Sequence, residues 1–324
     1  MTFTVSVALC TYNGARFIGE QLSSILAQSR LPDEIVVSDD GSRDGTIAIV
    51  ERMAGTAPLP VRVLSGLEPL GVTRNFERAI RATSGEIIVL SDQDDIWKAD
   101  RVERCLRLFD QQDDVDFVFG DAQMVDAAGA DLGYTLFEAL EFRPDERRDV
   151  QCPSAFDTLL RRNVATGATA AFRRRLADAA MPFPADWVHD EWLAIIASLT
   201  GRLAVIDEPL IDYRQHGANQ IGMRKPGFAQ KVSRVLEPRG DRNRALVRRT
   251  EALVERMLEA DFPAEHEHLE AAEGKLRIER VRAALPKNRL LRLPTVLREA
   301  KTGDYERYTS QGRAEVLRDL LQPA

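Results

Sequence analysis

From its N-terminus the chain alternates short apolar runs with stretches whose apolar positions recur at helical spacing. Val5 to Cys10 is one apolar run, and it ends in the turn Thr11-Tyr12-Asn13-Gly14. The next stretch sets Phe17, Ile18, Leu22, Ile25 and Leu26 on one helical face. It stops near Leu31-Pro32, where proline closes a helix. Glu34 to Ser38 predicts a second strand, followed by the polar cluster Asp39-Asp40-Gly41-Ser42. A helix over 44–54, a strand from Val61 to Leu64 and a helix over Val72–Ala82 come next. Glu86 to Leu90 predicts a fourth strand, and it runs into Ser91-Asp92-Gln93-Asp94-Asp95. Alternation of this kind predicts an α/β fold with a mainly parallel sheet flanked by helices. Ligands of such sheets gather at the carboxyl ends of the strands. Three of the predicted strands end there in polar or acidic clusters.

Between residues 110 and 215 the pattern is less regular. Asp116 to Phe119 and Arg202 to Ile206 read as strands, and Glu191 to Leu199 as a helix. Beyond residue 225 the chain reads as helical, with breaks near Pro238, Pro263, Pro286 and Pro294. The division expected is a domain over 1–224 and a helical C-terminal region over 225–324. Charge divides at nearly the same place. Residues 1–223 carry 22 Lys and Arg against 35 Asp and Glu, whereas 224–324 carry 22 against 16. The second region therefore suits an anionic membrane surface or a dimer interface, with solvated charged faces as the plainer reading.

Cys10, Cys105 and Cys152 are widely spaced and form no CxxC, which argues against a disulfide framework or a structural zinc site. No apolar run approaches the ~20 residues of a membrane-spanning helix, and no basic leader opens the chain. The expectation is a cytoplasmic protein, with peripheral contact at the inner face of the membrane and homo-oligomerisation left open. Nothing points to nucleic acid.

Four constellations carry chemistry. Asp92 and Asp94, at i and i+2 past a buried strand, can converge on a hard cation, which can in turn bridge the phosphates of a nucleotide sugar. A solvated turn with Asp95 as a helix cap is the plainer alternative. Asp39 or Asp40 at a strand end can accept the imide N–H of uracil or thymine, or can simply belong to a loop capped by Ser42 or Asp44. Asp190, in Trp187-Val188-His189-Asp190-Glu191-Trp192, can take a proton from an acceptor hydroxyl. It can equally be a first-turn acid facing the helix dipole. In Tyr213-Arg214-Gln215-His216-Gly217-Ala218-Asn219, His216 can complete a metal shell and Arg214 can bind diphosphate, though either can be structural.

In order and spacing these motifs resemble glycosyltransferase family 2, enzymes of the GT-A fold, across residues 1–220. The opening Val7-Ala8-Leu9-Cys10-Thr11-Tyr12-Asn13-Gly14 is similar to that family's first strand and nucleotide turn. Asp39-Asp40-Gly41-Ser42 and Asp92-Gln93-Asp94 are similar to its next two signatures. The resemblance implies that Thr11, Tyr12 and Asn13 meet the nucleoside and that Asp40, or failing that Asp39, meets the base. It implies Asp92 near ribose or metal, Asp94 as principal ligand of Mg²⁺ or Mn²⁺, Asp190 as general base and His216 as a late metal or phosphate contact. Thr166 to Arg174, with Gly167, resembles the small-residue stretch beside donor sugar and acceptor; a plain buried strand is the alternative. The acidic motif together with Tyr213-Arg214-Gln215-His216-Gly217 resembles rhamnosyltransferase-type members that use dTDP-rhamnose.

The function implied is inverting, metal-dependent transfer of a sugar from a nucleotide diphosphate to a hydroxyl of a glycan or lipid-linked acceptor in surface-polysaccharide assembly. One rival is a sugar nucleotidyltransferase, which needs a glycine-rich, Arg-containing phosphate loop where this chain has Thr11-Tyr12-Asn13-Gly14-Ala15-Arg16. A second is a non-catalytic nucleotide-sugar-binding protein. A dehydrogenase is disfavoured because no G-x-G occurs.

Overall fold

The computed structural model describes residues 3–66, 68–217, 238 and 240–323. Ala218 and Asn219 of the histidine motif, and the expected division at 224/225, lie outside the described residues. The described residues fall into two compact units. One is drawn from the ranges 1–153 and 164–224, the other from 154–163 and 225–324.

The first unit holds a nine-stranded sheet. Its strands are β1 (Val5–Thr11), β2 (Glu34–Asp39), β3 (Val61–Ser65), β4 (Ile87–Ser91), β5 (Ile96–Trp97), β6 (Val115–Val125), β7 (Asp131–Thr135), β8 (Ala171–Arg173) and β9 (Arg202–Arg214). Their order is β3-β2-β1-β4-β8-β6-β9-β5, with β7 paired to β6. The block β3-β2-β1-β4 is parallel, as is the β6–β9 pair, while the short β8 runs antiparallel between them. Helices α1 (Ile18–Leu26), α2 (Thr46–Ala54), α3 (Val72–Ala82) and α4 (Arg101–Gln111) belong to the same unit. The expected mixed α/β fold with helices around a mainly parallel sheet is the one observed.

Every residue of β1, β2 and β4 is buried, which explains their unbroken apolar runs, since helices cover both faces of such a sheet. Val5, Val7, Leu9, Ile35, Val37, Ile87 and Val89 form one core cluster with Ile18, Leu22 and Ile25 of α1 and with Val102, Cys105 and Phe109 of α4. Helix α3, with Phe76, Ala79 and Ile80 buried, lies against β1 and β2. Each fully buried aliphatic side chain contributes about 1.5–3 kcal/mol, so the sheet centre is the firmest part of this unit. Register then fixes where the polar tips fall. Thr11 pairs Asp39 and Leu9 pairs Ser91, which aligns the carboxyl ends of β1, β2 and β4 on one edge.

Strand β9 extends eight residues beyond the Arg202–Ile206 run legible in the sequence. Its pairing with β6 slips near Asp121 and Pro209, as a proline without an N–H requires. The slip carries the strand on to Arg214, beside the acidic loop.

The second unit is helical: Ala155–Arg161, Arg242–Met257, His266–Ala283, Arg289–Thr302, Asp304–Tyr308 and Arg313–Leu321. At its centre Arg282, 1% exposed, pairs with the equally buried Glu279, Glu315 and Asp319. Among the described residues no helix is long and apolar enough to cross a membrane.

Candidate active site

Three loops meet at the carboxyl edge, and backbone groups stitch them together. The Tyr12 N–H donates to Gln93 Oε1 at 2.8 Å, and Gln93 Nε2 donates back to the Tyr12 carbonyl at 3.1 Å. The β1 turn is thereby tied to the acidic loop after β4. On its other side, the Asn13 N–H donates to Ser42 Oγ, Asn13 Oδ1 accepts from the Arg43 N–H, and the Gly14 N–H donates to Thr46 Oγ1, each at 2.8 Å. Asn13 sits at φ 49°, a left-handed conformation that asparagine tolerates better than most residues. Tyr12 is left 46% exposed at the mouth of the site.

The two adjacent acids at the end of β2, Asp39 in the strand and Asp40 just past it, have different surroundings. Asp39 is buried and organises its own turn: it accepts from Thr11 Oγ1 at 2.7 Å, from the Gly41 and Ser42 N–H groups at 3.1 and 2.8 Å, and from Ser42 Oγ. Asp40 accepts one N–H on each oxygen, from Leu70 at 2.6 Å and Gly71 at 3.0 Å. A carboxylate has about four acceptor sites, so Asp39 is saturated while Asp40 keeps capacity for a ligand.

The acidic loop concentrates negative charge. Burial, together with the charges of Asp94 and Asp190, pushes the Asp92 carboxyl up to about 7, against the opposing pull of Arg101. Burial also raises Asp94, while His216, whose Nε2 lies 2.7 Å from Asp94 Oδ2, pulls it back. Asp95 points the other way, into the protein. It is 3% exposed and accepts the Arg214 backbone N–H at 3.0 Å, so it anchors the end of β9 instead of capping a helix. His216 stacks on Phe17, ring centroids 4.7 Å apart.

Arg214 is 3% exposed, and its guanidinium is committed to the protein. Nε donates to the Asp94 carbonyl at 2.9 Å, Nη1 to the Ala127 carbonyl at 3.1 Å and Nη2 to Glu20 Oε2 at 2.6 Å. The structure therefore places Arg214 as a brace of the acidic loop, where the sequence suggested an open diphosphate contact.

Asp190 lies in the first turn of the helix His189–Thr200. Its Oδ2 accepts the Gly167 N–H at 2.8 Å, and its Oδ1 accepts the Glu191 N–H at 2.7 Å. Gly167 permits this approach: a Cβ there would fall 2.9 Å from His189 Nε2 and 3.1 Å from Asp190 Cβ. Next to Asp190, His189 is buried and stacked on Phe76 at 3.8 Å, and burial lowers its pKa. The Gly167 stretch is a 3-10 turn (Gly167–Thr169) leading into β8, so it is both a buried structural segment and a wall beside Asp190.

The structure thus brings Asp92, Asp94, Asp190, Gly167 and His216 to one region, with Thr11, Tyr12, Asn13 and the β2 acids in the adjoining turns. The mutual effect of Asp190 and Asp94 on Asp92 is the electrostatic sign of that convergence. The donor set suits a hard divalent ion: two carboxylates and an imidazole, with like charges that a cation would relieve. Among the described residues no three such side chains stand as a ready-made cage. The sequence singled out neither Gln93 nor Glu20. Gln93 lies inside the acidic motif and was open to inspection, whereas nothing local marks Glu20 as the partner of a residue 194 positions away.

Residues 6–176, more than half of the chain, match the family profile described as Glycosyl transferase family 2. The chain belongs to that family. An uncharacterised glycosyltransferase of Nostoc is 27% identical over 224 residues, covering 66% of this chain and 66% of the relative. The dTDP-rhamnosyl transferase RfbG of Shigella flexneri is 36% identical over 102 residues, covering 30% of this chain and 35% of that protein. The alignments thus span less than two thirds of the length of the curated relatives matched. Among solved structures, the mannosyltransferase PcManGT from Pyrobaculum calidifontis, in complex with GDP-Man and Mn²⁺, superposes with a TM-score of 0.54 at 22% identity. That superposition covers 99% of this chain and 86% of PcManGT. The likeness establishes the fold of this family 2 member as GT-A.

Proposed function

We propose that this family 2 member is an inverting glycosyltransferase that moves a sugar from a pyrimidine nucleoside diphosphate, dTDP-rhamnose foremost, to a hydroxyl of a glycan or lipid-linked acceptor. The observation that carries the reading is Asp190, fixed by the Gly167 N–H at 2.8 Å, with its charge reaching Asp92 in the loop where His216 lies 2.7 Å from Asp94. With one backbone N–H on each oxygen, the Asp190 carboxylate keeps acceptor positions free to receive a proton. Asp190 takes the acceptor hydroxyl proton as that oxygen attacks the anomeric carbon from the side opposite the leaving diphosphate. The Gly167 N–H holds its carboxylate in place.

Asp94 and His216, with Asp92 beside them, would hold Mg²⁺ or Mn²⁺, which when bound offsets the charge growing on the diphosphate. Asp40 accepts the base imide, Thr11 to Asn13 line the nucleoside, and Tyr12 offers its exposed ring. Arg214 acts through Asp94 by holding its backbone. The Mn²⁺ in the PcManGT complex supports the metal, and the name of the Shigella relative supports the donor.

A thermal-shift and transfer panel of nucleotide sugars with Mn²⁺ tests the proposal. A bound donor raises the melting temperature in proportion to RT ln(1 + [L]/Kd), so dTDP-rhamnose should give the largest rise and release dTDP on adding acceptor. No shift with any pyrimidine nucleotide sugar would overturn it.

A further inference from the structure

The C-terminal unit contains two helices whose amphipathicity is turned inside out. In Arg289–Thr302 the buried positions are Arg292, Val296 and Glu299. Leu290, Leu291, Leu293 and Leu297 are 81%, 64%, 46% and 46% exposed. This orientation is firmly held. Arg292 is fully buried and donates to the carbonyls of Pro286 (2.7 Å), Lys287 (3.0 Å), Asp319 (3.0 Å) and Gln322 (2.9 Å). Glu299 accepts from Arg277 Nη1 at 2.7 Å and Arg298 Nε at 3.0 Å. The helix Arg313–Leu321 repeats the arrangement: Glu315 and Asp319 are buried on Arg282, while Leu317 and Leu321 are 55% and 46% exposed. The two helices pack on each other.

Both helices therefore spend all their acids on the interior. The exposed charges left along the first helix and just before it are Lys287, Arg289, Arg298 and Lys301, every one cationic, with Arg298 also donating to the buried Glu299. Arg313, which opens the second helix, is paired with the exposed Glu306. At 3.6 residues per turn, Leu290, Leu293 and Leu297 fall within an arc of about 60°. A single exposed leucine is ordinary, but six on two packed helices mark an interaction surface. Leucines flanked by arginine and lysine, on a helix whose one acid, Glu299, is turned inward, have the composition of a helix lying in a membrane interface. Two copies facing each other would instead oppose like charges.

We propose that the outward leucines of these two helices, with Lys287, Arg289, Arg298 and Lys301, dock on the surface of an anionic phospholipid bilayer. The leucines enter the acyl boundary and the cations meet the headgroups.

The test is sedimentation of the full chain with vesicles of mixed phosphatidylglycerol and phosphatidylcholine, or of phosphatidylcholine alone, without donor or acceptor, so that its outcome is separate from the transfer activity. The protein should pellet with the anionic vesicles and remain in solution with the neutral ones. Raising the salt from 0.1 to 1 M, which shortens the Debye length from about 10 to about 3 Å, should release it. Combining Leu290→Ser, Leu293→Ser and Leu297→Ser, or Lys287→Glu, Arg289→Glu and Lys301→Glu, should weaken binding tenfold or more. If the serine variant fails to fold, the charge-reversed variant carries the test alone. Binding that neither variant weakens, equal recovery with and without anionic vesicles, or a dimer on gel filtration that the serine variant splits, would overturn the proposal.

Discussion

Replacing Asp92 with Asn should stabilise the chain near pH 8 and leave it nearly unchanged near pH 4. The Asp92 carboxyl is raised from 3.8 to about 7 by burial and by the charges of Asp94 and Asp190. In the unfolded chain it titrates at its ordinary value. Between those two values the folded chain binds the extra proton, so stability falls as pH rises. The wild type thus keeps its full stability below pH ~4, loses it progressively up to pH ~7 and stays at the lower level above. A rise of this size corresponds to about 4 kcal/mol, burial contributing the largest part of it. Asn keeps the shape and removes the charge. Urea unfolding of both proteins at intervals from pH 4 to 8 should show the variant's advantage growing from near zero to a few kcal/mol. Mn²⁺ should shrink that advantage at pH 8, because the cation relieves the same repulsion. An advantage that is constant with pH would refute the reasoning.

Three further outcomes follow from named contacts. Gly167→Ala pushes a Cβ against His189 and Asp190; overpacking of this kind costs about 1–3 kcal/mol, and a displaced base should lower kcat by about 10²-fold with little change in donor KM. A fully active variant would dissociate Gly167 from the placement of Asp190. Arg214→Met removes charge-assisted bonds to two carbonyls and Glu20, so urea unfolding should show a loss of about 1.5–3 kcal/mol, with weaker Mn²⁺ affinity by calorimetry. Unchanged stability and affinity would refute the brace. EDTA should silence transfer, and Mn²⁺ or Mg²⁺ should restore it; full turnover in chelator would contradict the assignment of Asp94 and His216.

Much of the first unit was legible because its strands are buried on both faces and end abruptly in polar turns. Val5–Cys10, Glu34–Ser38 and Glu86–Leu90 stand out for that reason, and their tips carry the site. Strand β8 is three residues long, Ala171–Arg173, and reverses direction in the sheet; no periodicity can show in so short a run. The sequence also gave no reason to group 154–163 with the C-terminal helices, since that grouping rests on contacts between distant segments.

Within the site, chain order could not separate Asp39 from Asp40. They differ only in the donors around them, a saturated turn for one and two loop N–H groups for the other. Arg214 was legible as a cation near His216, but its partner Glu20 is supplied by the fold. The C-terminal helices were misleading in a similar way. Their arginines suggest solvated faces, and Arg289, Arg298, Arg307 and Arg313 are exposed, yet Arg282 and Arg292 are buried and leucines share the surface.

The central claim is that Asp190 removes the acceptor proton, and single-turnover transfer by Asp190→Asn measures it most directly. With saturating donor, metal and acceptor, the rate should fall by about 10²–10⁴-fold while donor affinity in the same preparation stays within about twofold, since only assistance in the transition state is lost. A variant that transfers sugar at close to the wild-type rate would contradict the account.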